Sequence, residues 1–241
     1  MKIVNAVWEK RNLGVSCNEI TIEIADTINN LNESIITLES EYTVIKVPSD
    51  MYEISTNLQE KGYIFVETVI NCFNSAKLPE LNSIQKRIVD SISYSEMNDN
   101  DLKGLWREVE NNMFETDRIS MDSHFEAEQA SKRYIGWIKD ELMSGSKIYK
   151  LIFKENIVGF FILKENENNI FTAVLGGIYK DYKAFGFGFC MNYFEIVECI
   201  EQNGKKVLNT FSTNNRGATS MHFLMNYSIN NIYNIFVKHT C

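Results

Sequence analysis

Apolar and polar residues follow one another along this chain at spacings that divide it into short elements. Residues 20–24 alternate, as a half-buried strand does. Residues 27–40 carry Leu31, Ile35, Ile36 and Leu38 at partly helical spacing. A second strand is predicted over 42–47, stopped at Pro48, and a helix over 50–61, begun by Ser49 or Asp50 and closed by Gly62. The β-branched and aromatic run 63–72 predicts a strong strand. Residues 74–83 are polar and proline-bearing, which reads as a linker with a domain boundary near Pro79.

The pattern then resumes. Residues 84–92 look strand-like, and 99–112 predict a helix that turns Leu102, Leu105, Trp106 and Val109 inward. The clearest helix spans 126–143, with Ala127, Ala130, Tyr134, Trp137, Ile138 and Leu142 near one face and Gly145 as its stop. Two strands, 146–153 and 157–163, predict a hairpin about Glu155-Asn156. A strand at 170–178, a helix at 189–201, a strand at 206–212, a helix at 214–226 and one or two strands at 229–239 complete the chain. The whole predicts an α/β protein with a small N-terminal unit, 1–79, and a larger one, 80–241.

Composition sharpens this reading. The chain has 241 residues, of which 44% are hydrophobic, enough to build a sizeable core. Its formal net charge of -8 disfavours general nucleic-acid binding, which needs a positive field. Only the stretch 133–241 carries more basic than acidic groups, 12 against 9, so an anionic ligand fits best there. Five cysteines without a close pair and three histidines show no metal-ligand spacing, and no metal is expected. No apolar run is long enough to span a membrane, and a cytoplasmic location is the expectation.

The informative chemistry lies after residue 170. Gly186 and Gly188 stand between a strand and a helix. Glycines there permit positive φ and close backbone approach, so the amides of Phe187, Gly188 and Phe189 become first-turn donors suited to a phosphate. Lys183 adds a cation. Neither a GxGxxG loop nor a P-loop is present, because Met191 stands where a third glycine would and no GK[ST] follows. A simple strand-to-helix turn is the competing reading.

Lys183-Ala184-Phe185-Gly186-Phe187-Gly188 resembles the acetyl-CoA signature of the GCN5-related N-acetyltransferase (GNAT) superfamily, with Lys183 where Arg or Gln is usual. Asn215, Ala218, His222, Asn226 and Tyr227 match the spacing of its second signature, departing in identity at His222 and Asn226. Residues 117–138, with 8–14 and 58–68, resemble the two-domain dTDP-fucosamine acetyltransferase branch.

The resemblance implies a mixed, splayed central sheet flanked by helices, a smaller N-terminal α/β domain, and acetyl-CoA as co-substrate. It implies direct transfer of the acetyl group to a primary amine of a small molecule, an amino-sugar nucleotide if the branch holds. Lys183, Phe185, Gly186, Phe187, Gly188, Phe189, Asn215 and Ala218 would contact the cofactor. His222 would stand in for the usual tyrosine as general acid, with Tyr227 or Tyr233 as the alternatives. No residue is named as the base. His124 reads as a surface or capping residue. No nucleic acid and no membrane are expected as partners, and a homodimer is left open. The alternative is a non-catalytic CoA-binding or interaction module with a degenerate GNAT fold.

Overall fold

A computed structural model describes residues 1–240, so Cys241 lies outside the described residues. Ten strands, β1 (Lys2–Asn5), β2 (Cys17–Thr21), β3 (Tyr42–Pro48), β4 (Ile64–Asn74), β5 (Ser93–Glu96), β6 (Lys147–Phe153), β7 (Asn156–Asn166), β8 (Ile170–Ile178), β9 (Lys206–Ser212) and β10 (Ser228–His239), form one sheet. The helices are α1 (Val7–Leu13), α2 (Ile28–Ile36), α3 (Tyr52–Glu60), α4 (Ser83–Asp90), α5 (Asp99–Glu110), α6 (Ala127–Met143), α7 (Phe187–Glu201) and α8 (Arg216–Leu224). Strand order is β1-β2-β3-β10-β4-β9-β8-β7-β6-β5. The β2–β3 and β8–β9 pairs are parallel and the others antiparallel.

Period-two alternation builds two core layers on the right half. Tyr149, Leu151, Phe161 and Leu163 face α7, while Ile148, Phe160 and Ile162 face α5 and α6. Phe160 is fully buried, so Phe160→Ala would cost about 3–5 kcal/mol. On the left half, Val44, Ile235 and Val237 pack with α1 and α6 residues. Ile45, Val47 and Phe236 pack instead with Leu31, Ile54 and Leu58 of α2 and α3.

The last strand joins the halves that the sequence divides near Pro79. β10 pairs with β3 from Tyr233↔Pro48 to His239↔Tyr42 and with β4 from Ser228↔Phe73 to Val237↔Ile64. β4 in turn pairs with β9.

One element differs in kind from its expectation. Residues 84–92 are not a strand: α4 begins at a capping box in which Asn82 and Gln85 satisfy each other's backbone amides. Two elements, β1 and α1, lie in a segment with no predicted structure. Helix α7 starts at Phe187 rather than 189, preceded by a 3₁₀ turn, Lys180–Phe185.

Candidate active site

Strands β8 and β9 pair only from Ile170↔Lys206 to Ala173↔Asn209. Beyond that point they part, leaving residues 174–178 of β8 and 210–212 of β9 without each other's hydrogen bonds. The separation begins at a bulge. Ile162 faces Leu175 and Leu163 faces Ala173, so Val174 is an extra residue in β8. An unpaired strand edge inside a sheet is an acceptor and donor row for an extended ligand backbone.

The chain leaves β8 through the exposed turn 183–186 and enters α7 at Gly186, whose φ of 79° belongs to the left-handed region. Phe187 and Phe189 are buried in the core, whereas Phe185 is exposed and stacks on Phe187 at 5.6 Å between centroids. A Cβ at Gly188 would meet nothing within 4 Å, so the first turn of α7 fronts open space. Beside it lies an open cavity of about 310 Å³ lined by Ile84, Arg87, Ile88, Ser91, Phe153, Phe185 and Phe187.

Not every expected donor is free. The Phe189 amide donates to the Gly186 carbonyl at 3.2 Å, which corrects its expected role and leaves Phe187 and Gly188 as the first-turn donors. The Lys183 ammonium donates to the Met113 carbonyl at 3.4 Å. Asn215 caps α8, its side chain accepting from the Ala218 amide at 2.9 Å, so both are spent on starting that helix.

His222 is packed into the core rather than set on an open edge. The residue is 4% exposed, and its ring stacks on Phe211 at 4.3 Å. Nδ1 lies 2.7 Å from the Ala218 carbonyl, which can only accept, so Nδ1 carries the proton. Nε2 then accepts from the Asn192 amide at 3.3 Å. Burial lowers the pKa to about 4, outweighing the carbonyl's opposing pull. A neutral, doubly bonded imidazole has no acidic proton to give near pH 7. Tyr227 packs edge-on against His222 at 4.9 Å. Its hydroxyl is buried without a hydrogen-bond partner among the described residues, and burial raises its pKa well above the usual tyrosine value.

Of the buried carboxyls, Glu195 and Glu67 lie nearest the parted strands. Glu195, one helical turn after Asn192, is 1% exposed, and burial pushes its pKa up to about 8. Its nearest donor is Asn209, at 3.5 Å, the last β9 residue paired with β8. Glu67 of β4 accepts from the Arg118 amide at 3.1 Å and keeps its other oxygen unpartnered among the described residues. Burial raises its pKa, against the pull of Ser212 at the end of β9. Each reads in sequence as one polar letter in an apolar run, a signal that burial alone makes legible.

The segment between α5 and α6 crosses this region. Met113 and Phe114 lie against Gly177 of β8, where a Cβ would meet Met113 at 2.5 Å, and Arg118 reaches Glu67 on β4. Phe114 stacks on Tyr134 at 4.2 Å, and the Tyr134 hydroxyl donates to Asp117 at 2.6 Å. Arg118 and Arg133 are held by the buried Glu9 carboxylate, so their charges are already matched. The arrangement is a gap between two strands with the first-turn amides of α7 at one end and acidic groups on the α6 side.

No family profile matches the sequence, and no curated protein sequence matches it. Solved structures do match in shape. A GCN5-related N-acetyltransferase from Sphaerobacter thermophilus is 10% identical, with a TM-score of 0.64 over 99% of this chain and 75% of its own. A conserved protein of unknown function from Staphylococcus epidermidis is 11% identical, with a TM-score of 0.61 over 94% and 84%. A GCN5-related N-acetyltransferase from Kribbella flavida is 10% identical, with a TM-score of 0.57 over 94% and 82%. At such identities the likeness defines the fold: a GNAT-like architecture with a splayed, mixed α/β sheet. Among the described residues no helix is long and apolar enough to cross a membrane.

Proposed function

We propose that this protein is an acetyl-CoA-dependent N-acetyltransferase acting on a primary amine of a small molecule. The observation that carries the reading is the parting of β8 from β9 beside an exposed turn and an open helix N-terminus. A pantetheine arm carries amides that suit the free β8 edge, and its diphosphate suits the Phe187 and Gly188 amides. Phe185 and Gly186 border that end, and Lys183 supplies positive charge nearby.

The chain's own groups supply the proton chemistry. Glu67, with its raised pKa and free oxygen, would take a proton from the incoming ammonium. Tyr227, which keeps its proton at neutral pH, would return one to the leaving thiolate. The acidic surroundings, Glu67 and Asp117, favour a cationic amine. The branch resemblance refines this to an amino-sugar nucleotide. The two-unit division near Pro79 would give the smaller unit the acceptor side, through Glu67.

The neutral state of His222 favours a second reading, a CoA-binding module without turnover. One assay separates the two: thiol release from acetyl-CoA with a panel of small amines that includes an amino-sugar nucleotide. Release that depends on amine supports the transferase. CoA binding without release supports the module, and no binding removes both.

A further inference from the structure

Outside the gap, one cluster of ligating side chains serves neither the core nor the proposed transfer. Asp122 lies in the turn before α6 with its side chain 4% exposed. One of its oxygens receives His239 Nε2 at 2.7 Å, and the other receives His124 Nδ1 at 3.1 Å. The two imidazoles stack with centroids 4.0 Å apart and planes 16° from parallel. His239 closes β10 opposite Tyr42, whose ring stacks on it at 4.7 Å. His124 is 53% exposed and opens the cluster to solvent.

We propose that Asp122, His124 and His239 form a zinc site. One atom from each residue lies within 4.8 Å of the others. Four ligands about a tetrahedral zinc stand about 3.3 Å apart when bonds are 2.0–2.1 Å. Both imidazoles already stand at the Asp122 carboxylate, at 2.7 Å and 3.1 Å. Because the rings stack, their in-plane lone pairs run side by side, so the exposed His124 ring must turn out of the stack to share an ion with His239. Two imidazole nitrogens with one carboxylate select zinc over magnesium or calcium, which prefer oxygen shells. On binding, each facing nitrogen offers its lone pair, and its proton passes to the other ring nitrogen or to solvent. Three protein ligands leave a fourth position for water on the open side of His124.

The site would tie the final strand to the turn before α6, in the same segment that carries Asp117 and Arg118 over the gap. Its role is a brace, because none of its three residues is assigned to the proposed transfer. It stands independently of the CoA reading.

The test uses the full chain freed of metal with a chelator. Zinc titrated calorimetrically should bind one per chain with micromolar or tighter Kd, and should raise Tm by several degrees. Calcium and magnesium at equal concentration should not. His124→Ala removes an exposed ring, so it should keep the metal-free Tm while weakening zinc binding by more than about tenfold. His239→Ala and Asp122→Asn should weaken it as well. The proposal is overturned if the parent chain ignores millimolar zinc, if calcium shifts it equally, or if folded His124→Ala binds zinc like the parent.

Discussion

Two neighbourhoods of one sheet behave in opposite ways. β10 is hydrogen-bonded to β3 and β4 along nearly its whole length, so its backbone is spent on structure. β8 and β9 pair for four residues and then diverge, so the edges they turn toward each other are unpaired there, while β7 and β4 hold their far edges. An unmet amide or carbonyl inside a protein costs on the order of 1–3 kcal/mol, unless water or a ligand reaches it. The chain holds such a gap open through specific devices: the Val174 bulge, the glycines that let Met113 and Met191 approach β8, and α7 packed beneath. The closed pairing carries stability. The open pairing is where chemistry is affordable.

The largest expected effect tests the chemistry of the open region. Tyr227→Phe should lower turnover by about 10²–10⁴-fold while leaving the Kd for CoA unchanged. Equal loss in both would make Tyr227 a packing residue.

Next comes the phosphate end. Glutamate at 188 would project into open space and suit a helix first turn, so Gly188→Glu should fold normally. Its charge would oppose a diphosphate, and the affinity for CoA should fall about 10–100-fold, or 1.4–2.8 kcal/mol. Unchanged affinity would move the diphosphate elsewhere.

The smallest effect concerns stability against pH. Glu195 has a folded pKa of about 8, above its unfolded value, so its contribution is full below pH 4.5 and is lost as pH rises through 8. His222, with a folded pKa of about 4, contributes above pH 6.5 and loses that contribution as pH falls through 4. Glu195→Gln should therefore flatten the decline between pH 5 and 8, seen by urea unfolding, while preserving the acid-side loss. An alkaline decline that survives the substitution would assign it to another group.

Local pattern made much of the fold legible. α6 shows its apolar face, β6 and β7 show as two apolar runs about a short turn, and Gly145 follows α6 in the left-handed conformation. The same pattern misread α4, because Ile84, Ile88, Val89 and Ile92 are β-branched and their spacing is ambiguous over so short a run. The Asn82–Gln85 cap was the deciding signal. The path of β10 between β3 and β4 was not legible, since partners such as Thr68 and Asn234 lie 166 residues apart. The site followed the same rule. The exposed turn at 183–186 announced itself through glycines, whereas the state of His222 depends on Phe211, Asn192 and burial that no spacing reports. Asp122 and His239, 117 positions apart, meet only through the fold.

Amide hydrogen exchange across β8 tests the central claim most directly. Without ligand, the amides of 174–178 that face away from β7 should exchange faster than those of 170–173, and saturating CoA should slow them while leaving β10 unchanged. If those amides are already as protected as β10, or if millimolar CoA changes nothing there, the gap is not a cofactor site.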